Sequence, residues 1–160
     1  YEDLARIRHG HLGLAQVRPY LGEEVFASYF KFAFVRNPFD RFVSYCAFMT
    51  RASDVFKVNP HAVMEHVLFR EPPDAHILFQ PQYTVLVDGD GRLLTDQVGR
   101  VEDMQRCDDG RGALIGSPSR VLEQVNSSSH GDYRQYYTPQ LAEAVAARYA
   151  RDLELFGYEF

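Results

Sequence analysis

Two groups of residues in this 160-residue sequence could do chemistry. The first is Arg36, which closes the apolar run FKFAFVR at 30–36, together with Ser44, eight residues on. An arginine fork can hold a phosphate at two points, and a hydroxyl about two helical turns further along can reach the same anion. The competing arrangement is an ion pair between Arg36 and Asp40, with Ser44 filling space. The second group is His9-Gly10-His11. Imidazole changes charge near neutral pH, so a histidine beside a flexible glycine is a candidate general base toward a hydroxyl. With no third ligand nearby, the pair does not make a metal site.

The elements that must position these groups follow from local pattern. Residues 30–36 are apolar nearly throughout, which predicts a central strand covered on both faces, as in a parallel sheet. Asn37 can cap a helix, Pro38 suits its first turn, and Asp40 places negative charge near the positive end. A helix is therefore expected from Pro38 to about Arg51, with Phe39, Phe42, Val43 and Phe48 toward the sheet.

Upstream, residues 2–8 read as a short helix, and 12–20 with 22–29 as helical stretches broken at Pro19 and Gly22. Downstream, Asn59-Pro60 opens a helix to about Phe69, which Pro72-Pro73 ends. Strands at 83–87 and 92–94 flank the turn Asp88-Gly89-Asp90-Gly91, and 97–101 adds another. A glycine-rich loop at 108–116 and a polar loop at 126–132 precede the last helix. That helix starts at Thr138-Pro139 and carries Leu141, Val145, Tyr149 and Leu153 on one face. Strands separated by helices predict an α/β fold, in which ligands collect beyond the carboxyl ends of the strands.

Composition sets bounds. The length fits one domain spanning 1–160, and 46% hydrophobic with 14% aromatic residues marks a folded globule. A net charge of −5 argues against nucleic acid as a partner but leaves room for a local basic pocket. Cys46 sits among Phe42, Val43 and Phe48 and is expected to be a buried thiol; Cys46 and Cys107 together make no disulfide framework. No apolar run is long enough to span a bilayer.

FKFAFVRNPFDRFVSY at 30–45 resembles the segment of the sulfotransferases that grips the 3′-phosphate of 3′-phosphoadenosine 5′-phosphosulfate (PAPS). VGRVEDM, ending at Met104, is similar to the family's Gly-Arg-aromatic-Glu segment, and the stretch from Asn126 to Phe160 resembles its C-terminal end. The resemblance runs from about residue 8 to Phe160, in the branch related to carbohydrate 2-O-sulfotransferases. It implies Arg36 and Ser44 as ligands of the donor's 3′-phosphate, and a loop closing over the nucleotide with Ser129, Tyr133 and Arg134. His11 is the implied base, with His9 second. PAPS would be the co-substrate, no metal would be needed, and the acceptor would be a hydroxyl-bearing glycan or small molecule. The implied fold is a parallel sheet flanked by helices, of the P-loop NTPase kind.

The family's phosphate-cradling loop, a strand followed by Lys, Gly and Thr or Ser upstream of the base, does not occur in the 160 residues. The two lysines, Lys31 and Lys57, are not in a glycine-rich loop. Two explanations compete: a first strand and loop lie upstream of Tyr1, or the chain is an inactive nucleotide- or glycan-binding homologue. The absence of an opening methionine favours the first. A nucleotide-phosphate kinase, the third reading, needs a Walker loop that is equally missing.

Other residues carry a structural reading beside a functional one. Arg100 and Glu102 are expected to pair with one another. Tyr133, Tyr136 and Tyr137 could stack on a base or sugar, or simply fill the core. Residues 76–84 are expected to shape an acceptor groove. Arginine far outnumbers lysine, which fits a GC-rich bacterial source and a cytoplasmic location; animal members of the family work in the Golgi lumen.

Overall fold

The computed structural model describes residues 11–104 and 131–160, and the expected helix at 2–8, the loop at 108–116, His9, Cys107 and Ser129 lie outside them. Two helices come first, α1 (Leu14–Leu21) and α2 (Glu23–Ser28), separated at Gly22, whose φ of +77° suits glycine. Pro19 does not break α1 as expected; it lies inside it.

Strand β1 (Phe32–Val35) then leads into helix α3 (Pro38–Met49). The cap is as expected: the Asn37 side chain accepts from the Phe39 N–H at 3.0 Å, with Pro38 in the first turn. Short helices α4 (Val55–Val58) and α5 (Pro60–Glu65) follow, and α5 runs on into a wider turn over His66–Arg70. Strand β2 (Gln97–Arg100) pairs with β1 in parallel, with Phe32 opposite Gln97 and Val35 opposite Arg100. The C-terminal helix divides at Tyr149 into α6 (Pro139–Arg148) and α7 (Ala150–Phe156).

The mixture of helices and a small parallel sheet is compatible with the α/β expectation, on a smaller scale. Among the described residues β1 has one strand neighbour, and it is not covered on both faces: Phe32 is 53% exposed, while Val35 is buried. The apolar face of α3 also packs elsewhere than expected. Phe39, Phe42, Val43 and Cys46, spaced i, i+3, i+4 and i+7, bury against Phe56, Met64, Phe79 and the Leu141, Val145 and Tyr149 face of the C-terminal helix. Phe48 lies nine positions from Phe39, half a revolution round at about 100° per residue, so it points away and is half exposed under the Arg51 guanidinium.

The expected strand at 83–87 is instead a 3-10 turn over Gln82–Val85. Both oxygens of the buried Asp152 carboxylate accept from this segment, from the N–H of Gln82 and of Tyr83 at 2.8 Å each. Donors held by a carboxylate cannot serve a strand ladder. What remains of the hairpin is one antiparallel bridge, Val87 with Leu93, closed through Gly91 at φ +78°.

Candidate functional site

The exit of β1 is tied down from several directions. The Gln82 side-chain amide brackets the Arg36 backbone, accepting from its N–H at 3.0 Å and donating to its carbonyl at 2.9 Å, in place of a neighbouring strand. Glu102 accepts the Asn37 N–H at 2.9 Å, and the Asn37 amide donates to the Glu159 carbonyl at 3.0 Å. The Tyr158 hydroxyl lies 3.0 Å from the Val35 carbonyl and 2.8 Å from Glu102 Oε2, giving its one proton to either. Burial, with Glu102 beside it, pushes the Tyr158 phenol well above its usual pKa. The backbone that aims Arg36 is thus fixed by residues about 50 and about 120 positions away.

On this frame Arg36 Nε donates to Asp40 Oδ2 at 2.6 Å, and among the described residues no other group engages its two terminal nitrogens. The Arg36–Asp40 pair weighed against phosphate binding is therefore present. It does not consume the fork. Asp40 and Ser44 are i and i+4 on α3, so the ion pair lays the guanidinium on the helix face that carries the Ser44 hydroxyl one turn further.

Tyr133 comes to the same junction: its hydroxyl accepts from the Asn37 amide at 3.3 Å and its ring stacks on Phe39 at 6.5 Å. The Arg134 guanidinium lies over the Tyr133 ring at 4.6 Å and pairs with Asp132. Tyr136 packs on Phe56, and the Tyr137 hydroxyl donates to the Phe39 carbonyl at 2.9 Å, so these two belong to the core. Arg100 and Glu102 are not a pair. Arg100 Nη2 donates to the Phe156 and Gly157 carbonyls at 2.9 and 2.8 Å, closing α7, while Glu102 serves Asn37 and Tyr158.

His11 is exposed and sits on a cavity of about 380 Å3 whose walls include Phe34, Arg41, Leu78, Gln82 and Leu86. The 76–84 segment, expected to shape a groove, supplies Ile77, Leu78, Pro81 and Gln82 to this wall. What sets the place of His11 is Gly13: a Cβ there would approach the Val85 Cα to 3.3 Å, so the chain can press against the Gln82–Val85 turn only with glycine or a small shift. The cavity and the Arg36 junction share β1 and Gln82, and Arg36 itself is not in the cavity wall.

Sequence reasoning missed Gln82, Arg41 and Asp152. Asp152 had a signal. It falls three residues after Tyr149, on the apolar stripe of the last helix, where a carboxylate needs donors from elsewhere in the fold. Gln82 had none, because its role depends on the Arg36 backbone 46 residues away. No group of His, Cys, Asp and Glu among the described residues could hold a metal ion, and no helix among them is long and apolar enough to cross a membrane.

A parallel strand that ends in an arginine and opens into a capped helix is an α/β anion site, at the place where such folds gather ligands. Residues 5–70 match the model of the sulfotransferase family, and on that segment, which carries His11, Arg36 and Ser44, the chain is assigned to the sulfotransferases. No curated protein and no solved structure matches it.

Proposed function

We propose that the protein transfers a sulfuryl group from PAPS to a hydroxyl acceptor, with a carbohydrate of the 2-O-sulfotransferase kind as the class the resemblance implies. Arg36 and Ser44 hold the donor's 3′-phosphate, with Tyr133, Arg134 and Ser129 on the nucleotide side. His11 takes the acceptor proton, with His9 as the second candidate. Transfer is an in-line displacement at sulfur: the acceptor oxygen bonds to sulfur as the bond to the phosphate oxygen breaks, and the proton passes to imidazole. No metal enters the reading.

The observation that carries it is the Arg36 fork, steadied by Asp40 through Nε, with its terminal nitrogens unspent above the Ser44 face. Calorimetry with adenosine 3′,5′-bisphosphate tests it. Arg36→Ala should weaken binding more than tenfold, since a charge-assisted contact is worth ~1.5–3 kcal/mol and the substitution leaves Asp40 facing the phosphate. Equal affinity of both proteins would remove Arg36 from the site. Tight nucleotide binding by the full-length protein without sulfuryl transfer to any acceptor would favour the inactive homologue.

A further inference from the structure

The His11 cavity holds a cation that the reaction just described does not use. Arg41 lies on α3 one residue after Asp40 and reaches the opposite region of the helix, into the cavity wall. One of its nitrogens, Nη1, donates to the Gln80 carbonyl at 2.9 Å. A guanidinium has five N–H donors, and among the described residues no other hydrogen bond and no carboxylate within ion-pair distance meets this one.

The nearby acid, Asp152, has both oxygens on the N–H groups of Gln82 and Tyr83. Burial lowers the Arg41 pKa from its usual value, with Asp152 and Tyr149 acting the other way and Arg36 adding to the fall. A largely desolvated charge without an ionic partner is costly to the fold unless something else pairs with it. The remaining wall is mostly apolar, from Phe34, Ile77, Leu78, Pro81 and Leu86, and about 380 Å3 lies in the range of small-molecule sites.

Resting on the reading of this cavity as the acceptor side, we propose that the acceptor is a hydroxylated carboxylic acid of compact, partly apolar body, whose carboxylate pairs with Arg41 while its hydroxyl faces His11. A sugar acid and an aryl acid share that chemistry. Arg41 then determines specificity, since a neutral analogue leaves its charge unmatched in the wall.

The test is calorimetry on the full chain with two matched pairs: methyl glucuronide against methyl glucoside, and 4-hydroxyphenylacetate against 4-hydroxyphenylacetamide. At least one acid should bind tenfold or more tighter than its neutral partner, and the pair that shows the preference tells a sugar from an aryl acceptor. Arg41→Met should abolish the preference. Because that change also removes the bond to Gln80, Leu78→Glu is the second variant: it sets a negative charge in the wall, leaves Arg41 in place, and should remove the preference as well.

Equal or undetectable binding of acids and neutrals overturns the proposal, as does a preference that survives either substitution. Competition between the acid and adenosine 3′,5′-bisphosphate for one site also overturns it, by assigning the cavity to the donor. The proposed reaction fails separately, in the Arg36→Ala titration, where no acid is present.

Discussion

The two ends of the site are built on opposite principles. At the exit of β1 the backbone groups of Arg36 and Asn37 are met by Gln82, Glu102 and Glu159, and the Val35 carbonyl by Tyr158. Around His11 the walls are apolar, the histidine is exposed, and Arg41 spends one donor. The first is preorganised to grip an invariant group, as a nucleotide phosphate is. The second has shape and a few polar points, as a variable acceptor requires. Substitutions at the junction should therefore cost stability and binding together, and substitutions in the cavity should cost chemistry alone.

The sharpest separation is expected at His11. Its exposed side chain can be cut to alanine without a change in unfolding midpoint, while kcat in sulfuryl transfer by the full-length protein should fall about 10²–10⁴-fold, the usual contribution of a general base. Nucleotide affinity should hold. A parallel fall in affinity and turnover would take the base role from His11 and erase the contrast.

Asp152→Ala is the converse, a change aimed at the frame. It orphans the N–H groups of Gln82 and Tyr83, and each unsatisfied buried donor costs ~1–3 kcal/mol, partly offset by relief of a buried charge; the net loss should be about 2 kcal/mol in urea unfolding. Burial raises the Asp152 pKa above its ordinary 3.8, against the pull of the two N–H groups and Arg41. The folded state thus holds this proton more tightly than the unfolded chain. Its contribution to stability is full below 3.8 and is lost as pH rises through the raised native value. Asp152→Asn should lack that step; an unchanged pH profile would show that the carboxyl titrates alike in both states.

Gln82→Glu strikes where the two ends meet. An ionised carboxylate cannot donate to the Arg36 carbonyl, so the loss should be about 1–2 kcal/mol at pH 7, with weaker nucleotide binding. Lowering the pH through the carboxylate range restores a donor and should recover much of the deficit. A stability loss without any effect on nucleotide affinity would mean that the bracket does not aim Arg36.

How much of this was legible depends on how far apart the interacting residues are. The Asn37 cap, the Pro38 start and the buried Cys46, whose thiol pKa burial raises, rest on neighbours within one helix, and the sequence shows them directly. So does the last helix, whose Leu141, Val145 and Tyr149 are buried as their spacing requires. The run at 83–87 has the β-branched, apolar look of a strand and is a 3-10 turn because a carboxylate some 70 residues on claims its donors. Arg36 and Ser44 could be singled out by spacing. The partners that hold them in register could not, since Gln82 and Glu102 act on backbone groups that leave no mark on local pattern.

The smallest expected effect tests whether the junction is held from the C-terminal end. Gly157 ends α7 in the left-handed conformation at φ +64°, which turns the chain so that Tyr158 returns to Val35 and Glu102. Tyr158→Phe keeps the ring under the Arg100 guanidinium, which lies 4.7 Å from its centroid, and removes only the hydroxyl. Val35's carbonyl and one oxygen of Glu102 then lose a donor, a cost of about 1 kcal/mol in urea unfolding. Glu102 keeps its other oxygen on Asn37, so the Arg36 fork should stay in place and nucleotide affinity should change less than threefold. A tenfold loss of affinity would instead make the C-terminal tail part of the donor grip, and the boundary between a rigid junction and an adaptable cavity would have to be drawn through Tyr158.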